Sequence, residues 1–247
     1  MRVAVVDSGV DHAHPDAVGP HSAGAMLSWD REEHEVMLEE GEHEDLFGHG
    51  TACAAIIRKA APACEIMSVR VLNERLSGKG EVFAAGLRWA IASGARVVNL
   101  SLSTHRDDLY SVFHEIADEA ARVGVVMVSA MNNMLARSYP SEFSSVFSVA
   151  ATSGKDPFEL FANPDPPADF GAPGIDIDVA WLNGSTMNMM GNSFAAPHVT
   201  GLVARMLSKH PALTPYQVKA VLRAVAQNVG SDARLSQAGP IGGPDLS

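Results

Sequence analysis

Apolar residues in this chain fall into short runs separated by stretches of helical periodicity. The run at residues 3–6 predicts a strand that ends at Asp7-Ser8-Gly9. Residues 51–59 carry a helical pattern, 66–72 a strand, and 81–93 a helix closed by Gly94. A strand at 96–100 precedes an amphipathic helix at 109–123, closed by Gly124. Strands follow at 125–128 and 146–150. Residues 193–209 predict a long apolar helix, and 215–228 a second one with Thr214 as N-cap and Pro215 at its first position. Alternation of this kind predicts an α/β fold of three layers, a mostly parallel twisted sheet with helices on both faces. Residues 8–48 show little periodicity and much acid, through Glu32, Glu33, Glu35, Glu39, Glu40, Glu42, Glu44 and Asp45, and read as a surface excursion. Residues 153–173 carry Pro157, Pro164, Pro166, Pro167 and Pro173 and read as loops and turns.

Composition narrows the picture. The 247 residues, 47% of them hydrophobic, suit one domain over 1–230 with a loose tail over 231–247. A formal charge of −11 argues against nucleic acid and against an anionic membrane surface as partners. Two cysteines, Cys53 and Cys64, do not make a disulfide framework. The apolar run at the N-terminus stops at Asp7, short of the roughly 7–15 residues of a secretory core, and no run approaches the roughly 18 that span a bilayer. The expected location is the cytoplasm.

Three local patterns carry chemistry. Val5-Val6-Asp7-Ser8-Gly9 puts an acid at the end of a buried strand. Gly48-His49-Gly50-Thr51 puts an imidazole at a helix entry, and Gly191-Asn192-Ser193-Phe194-Ala195-Ala196-Pro197-His198 puts a hydroxyl at the start of an apolar helix. Taken singly, each is a turn or a cap. Together, in the order Asp, His, Ser, they supply an orienting acid, a general base and a nucleophile.

These three motifs resemble those of the subtilase family. The resemblance extends over about residues 2–230, through Val98-Asn99-Leu100-Ser101-Leu102, Val126-Met127-Val128-Ser129-Ala130-Met131-Asn132 and Tyr139-Pro140-Ser141. It implies the three-layer fold of that family and a serine endopeptidase with Asp7, His49 and Ser193 as its triad. Asn132 is then the expected oxyanion donor, with Ser101, Leu102, Ser103, Ala130, Met131 and Asn192 around the substrate. Cys53 resembles the buried cysteine of proteinase K-like members.

Departures from the family pattern bear on specificity and on metal. Met131 stands where the family usually has glycine before the oxyanion asparagine, and Ser103 where its pocket wall has another. Both add bulk, so a narrow pocket that prefers a small residue is expected. Asn192 replaces a threonine and is expected to offer a side-chain donor near the oxyanion. Asp16 resembles a calcium ligand of the family. The loop that supplies the other ligands has no counterpart in the helix through Ile56-Ile57-Arg58-Lys59, so no cofactor is expected and calcium is doubtful. His12, His14, His21, His34 and His43 cluster without a recognised zinc spacing, and no metal is assigned. No pro-domain precedes Asp7 in the sequence as given, so a restrained processing protease acting on a peptide or protein substrate, such as one dedicated precursor, is expected. The alternatives are a peptide ligase or macrocyclase using the same acyl-enzyme, and a non-catalytic peptide-binding scaffold.

Overall fold

The fold is taken from a computed structural model that describes residues 1–134, 136–163 and 167–229. Pro164, Pro166 and the expected tail lie outside the described residues. In chain order the elements are β1 (Arg2–Asp7), β2 (His21–Trp29), β3 (Val36–Gly41), α1 (His49–Ala60), β4 (Glu65–Arg70), α2 (Gly80–Ala92) and β5 (Val97–Leu100). Then come α3 (Tyr110–Arg122), β6 (Val126–Ala130), β7 (Phe147–Thr152), β8 (Phe161–Ala162), β9 (Phe170–Pro173), β10 (Ile177–Trp181), β11 (Ser185–Met189), α4 (Asn192–Lys209) and α5 (Pro215–Val225).

Nine strands form one sheet in the order β3-β2-β4-β1-β5-β6-β7-β9-β8, parallel except at its two edges, where β3 and β8 run antiparallel to their neighbours. Strand periodicity divides the core. Val3 and Val5 of β1 face a layer with Ala54 and Ile57 of α1 and Ala196, Val199 and Val203 of α4. Ala4 and Val6 face the opposite layer, with Phe83 and Leu87 of α2 and Phe113 and Ile116 of α3. The predicted three-layer α/β architecture is therefore present.

Two segments depart from the expectation. The stretch 8–48 holds β2 and β3, whose pairing extends the sheet beyond β4. Their strand character was hidden because β3 exposes Met37, Leu38, Glu39 and Glu40 as an edge strand, without alternation to read. Asp45, read as part of an acidic surface, is buried. Residues 153–173 include β8 and β9, and Phe170 pairs with Val149 of β7. Thr214 caps α5 as expected, in a reciprocal pairing with Gln217. No helix among the described residues is long and apolar enough to cross a membrane.

Candidate active site

Asp7 is the last residue of β1 and is fully buried. The parallel sheet delivers it to the carboxyl end of its strand, the edge where sites form in such folds. His49 opens α1. Gly48 before it has φ of 105°, and a Cβ there would stand 2.9 Å from the Trp181 ring, so glycine is needed. His49 Nδ1–H donates to both oxygens of Asp7, at 2.8 and 2.9 Å. Burial disfavours the imidazolium, but the charge and hydrogen bond of Asp7, helped by Asp45, outweigh it and hold the His49 pKa above its ordinary value.

Asp45, which the sequence pattern placed on the surface, anchors the start of α1. Its carboxylate accepts from Ser8 Oγ, Phe47 N–H, Gly48 N–H, Thr51 N–H and Thr51 Oγ. An acid at this place satisfies orphan donors at the start of α1 and complements its dipole. It ties the helix carrying His49 to Ser8, next to Asp7.

Ser193 is the second residue of α4, so its N–H is one of the unpaired donors of a helix N-terminus. Its carbonyl accepts from Ser101 Oγ at 2.7 Å. Ser101 in turn accepts from Asn99 Nδ2, and Asn99 Oδ1 accepts from Thr200 Oγ, about two turns further along α4. Ser101 was expected at the substrate; its side chain instead stands behind the nucleophile and holds it. Cys53 lies in the same space, with Sγ 3.2 Å from Ser101 Oγ. Ser193 Oγ is not hydrogen-bonded to His49 in this geometry, a looseness common before substrate arrives. The ring of Phe194 lies 5.1 Å from that of His49, centroid to centroid.

The two asparagines after β6 have different partners. Met131 N–H pairs with Val149 O just past the end of β6. Asn132 Oδ1 accepts from Met134 N–H in a local turn. Asn133 is the residue that meets the nucleophile turn. Its Oδ1 accepts from Asn192 N–H at 3.0 Å. Its Nδ2 and Ser193 Oγ lie 3.8 and 3.3 Å from one point, where a Cβ on Gly191 would sit. Asn192 requires a correction. Its Nδ2 donates to the carbonyls of Met131 and Asn132, and its Oδ1 accepts from Ala151 N–H. These bonds commit its side chain to the protein, away from an oxyanion.

Ala130 ends β6 and is buried, while Met131, Leu102 and Ser103 are half-buried. Among the described residues, the one group of possible metal ligands with all atoms within 4.8 Å is Asp7, His49 and Cys53. Burial pushes the Cys53 thiol well up, which keeps it protonated and a poor ligand. His12 and His21 stack at 4.3 Å, and His43 Nε2 bonds Ser68 Oγ. Both cysteines are unpaired.

Comparison with known proteins bears on the family and the fold. Residues 1–240 match the model of the subtilase family. A subtilisin of Bacillus pumilus is 29% identical over 94% of this chain and 85% of its own length. The minor extracellular protease Epr of Bacillus subtilis is 29% identical over 97% of this chain, which spans only 37% of that relative. The solved structure of a cold-adapted subtilisin-like serine proteinase superposes with a TM-score of 0.73 at 26% identity, covering 94% of this chain and 85% of that one. On sequence and fold alike, the chain belongs to the subtilase family of serine peptidases.

Proposed function

We propose that this chain is a serine endopeptidase acting through an acyl-enzyme, with Asp7, His49 and Ser193 as its triad. The observation that carries the reading is the buried Asp7–His49 pair, which fixes Nδ1 as the donor and leaves Nε2 as the base. Ser193 Oγ attacks the scissile carbonyl carbon while its proton passes to His49 Nε2. The C–N bond then breaks and the proton moves to the leaving amine. Water repeats the sequence, and the acid product leaves Ser193 restored. Asn133 Nδ2 and the Ser193 N–H are the proposed donors for the oxyanion, with the Asn132 amide as the alternative.

A restricted processing role fits the side chains near the site. Met131 and Ser103 narrow the substrate channel and favour a small residue before the scissile bond. Removal of a leader from one precursor peptide is the substrate class that such restriction suits. The proposed compartment is the cytoplasm, consistent with two buried, unpaired cysteines. Peptide-library cleavage read by mass spectrometry tests this reading. Linear fragments with a small residue before the cut are expected, and none with Ser193→Ala. A preference for Phe, Tyr or Leu there contradicts the narrow channel, and cyclic products lacking the added water contradict hydrolysis.

A further inference from the structure

Behind the site, at the far end of α1, the chain holds a buried positive charge that no carboxylate among the described residues neutralises. Arg58 is 6% exposed and has no salt bridge among the described residues. Its Nε–H donates to Ala17 O at 2.7 Å, Nη2 to Pro20 O at 2.7 Å, and Nη1 to Cys64 O and Pro62 O at 3.0 and 3.2 Å. Four of the five guanidinium N–H groups can thus be satisfied by backbone carbonyls alone. The carbonyls come from two separate segments, the loop before β2 and the turn between α1 and β4. Gly19 makes room: a Cβ there would stand 2.7 Å from Arg58 Cζ.

A ring of carbonyl oxygens from several loops is the donor set of a hard cation. Here the lone pairs converge on the chain's own cation. Asp16, the residue that resembles a calcium ligand, is exposed and forms no hydrogen bond to this cluster through its carboxylate. The helix runs unbroken from His49 to Ala60, so no inserted loop brings further oxygens. A divalent ion would have to displace a guanidinium or sit beside one. The residues present do not fit calcium.

We propose that Arg58 is a built-in cation that does the work of a bound metal ion, clamping the 17–20 loop and the 62–64 turn onto α1. The clamp joins the segment after Asp7 to the helix of His49, yet it does not depend on the peptidase reading. The chain therefore holds its fold without calcium. An Arg is suited to this place because its charge persists on burial and its planar fork reaches several acceptors at once.

The test is thermal unfolding of the full chain in a millimolar chelator and in millimolar calcium, with Arg58→Lys and Arg58→Met beside the wild type. Wild-type Tm is expected to be the same in both solutions. Arg58→Met is expected to fall by roughly 5–10 °C with no recovery in calcium, and Arg58→Lys to fall less. A wild-type Tm that drops in chelator and returns with calcium overturns the proposal. So does an Arg58→Met protein as stable as wild type. If Arg58→Met does not fold, the wild-type comparison and Arg58→Lys still decide, and neither reads activity.

Discussion

Asn192 is bonded to Asn133 across the nucleophile turn: its N–H donates to Asn133 Oδ1 at 3.0 Å, while its Nδ2 donates to the carbonyl of the neighbouring Asn132 at 3.2 Å. With its oxygen engaged, the Asn133 amide can present only its N–H groups to the space beside Ser193. This relationship separates two adjacent asparagines that look alike in sequence.

Replacing Asn133 with alanine should lower kcat by roughly 10²–10³, the range for removing one oxyanion donor in a relative of this family, with little change in KM. Asn132→Ala should stay within about tenfold of wild type, since only a turn bond is lost. Steady-state kinetics on a chromogenic peptide distinguish the two. A larger loss in Asn132→Ala would return the role to that residue.

If Asn192 acts by placing Asn133, the two are coupled. Asn192→Ala should cost roughly 5–30-fold in kcat alone and almost nothing in an Asn133→Ala background. A double-mutant cycle measures this, and additive losses would show that Asn192 acts on its own.

His49 must be neutral to accept a proton, and Asp7 raises its pKa. Activity should therefore rise with pH along a limb centred above about 6.5, the ordinary histidine value. Asp7→Asn should move that limb down and lower kcat by about 10⁴. For stability the sign is opposite to that for activity. A raised histidine pKa stabilises fully below about 6.5 and the contribution fades as pH climbs through the raised value. A pH–rate profile and urea midpoints over the same pH range check both halves.

His198 gives the reverse dependence. Burial lowers its pKa to about 4, against a hydrogen bond from Nδ1–H to Pro157 O. The neutral ring stabilises the fold above about 6.5, and that contribution drains away as pH falls toward 4. Its size is on the order of 3 kcal/mol. His198→Asn should flatten the acid side of a stability–pH curve measured by urea unfolding; an unchanged slope would remove His198 as the cause.

Asp45 gathers five hydrogen bonds in a buried place. Asp45→Ala should lower unfolding free energy by about 3 kcal/mol or more, because several donors lose their acceptor at once. Asp45→Asn should cost less, as Oδ1 keeps its partners. Equal, small losses in both would mean that water replaces the carboxylate.

What was legible in the sequence follows from burial. Runs such as Val3–Val6 are covered on both faces of a parallel sheet, so they read as strands, and the helices show their apolar face at helical spacing. The edge strand β3 and the hairpin of β10 and β11 do not, because exposed Glu39, Glu40, Thr186 and Asn188 break any alternation. The proposed triad positions could be read from the sequence because each lies in a local motif. The proposed preference for Asn133 over Asn132 could not, since it rests on side-chain partners at the nucleophile turn. Asp45 and Arg58 owe their roles to partners far along the chain, and sequence placed one on the surface and gave the other none.

The most direct test of the central claim is labelling with a fluorophosphonate probe, the modified residue then located by peptide mass spectrometry. One probe per chain on Ser193 is predicted, abolished in Ser193→Ala and strongly slowed in Asp7→Asn. An unlabelled wild-type protein at neutral pH, or labelling that persists in Ser193→Ala, would contradict the account.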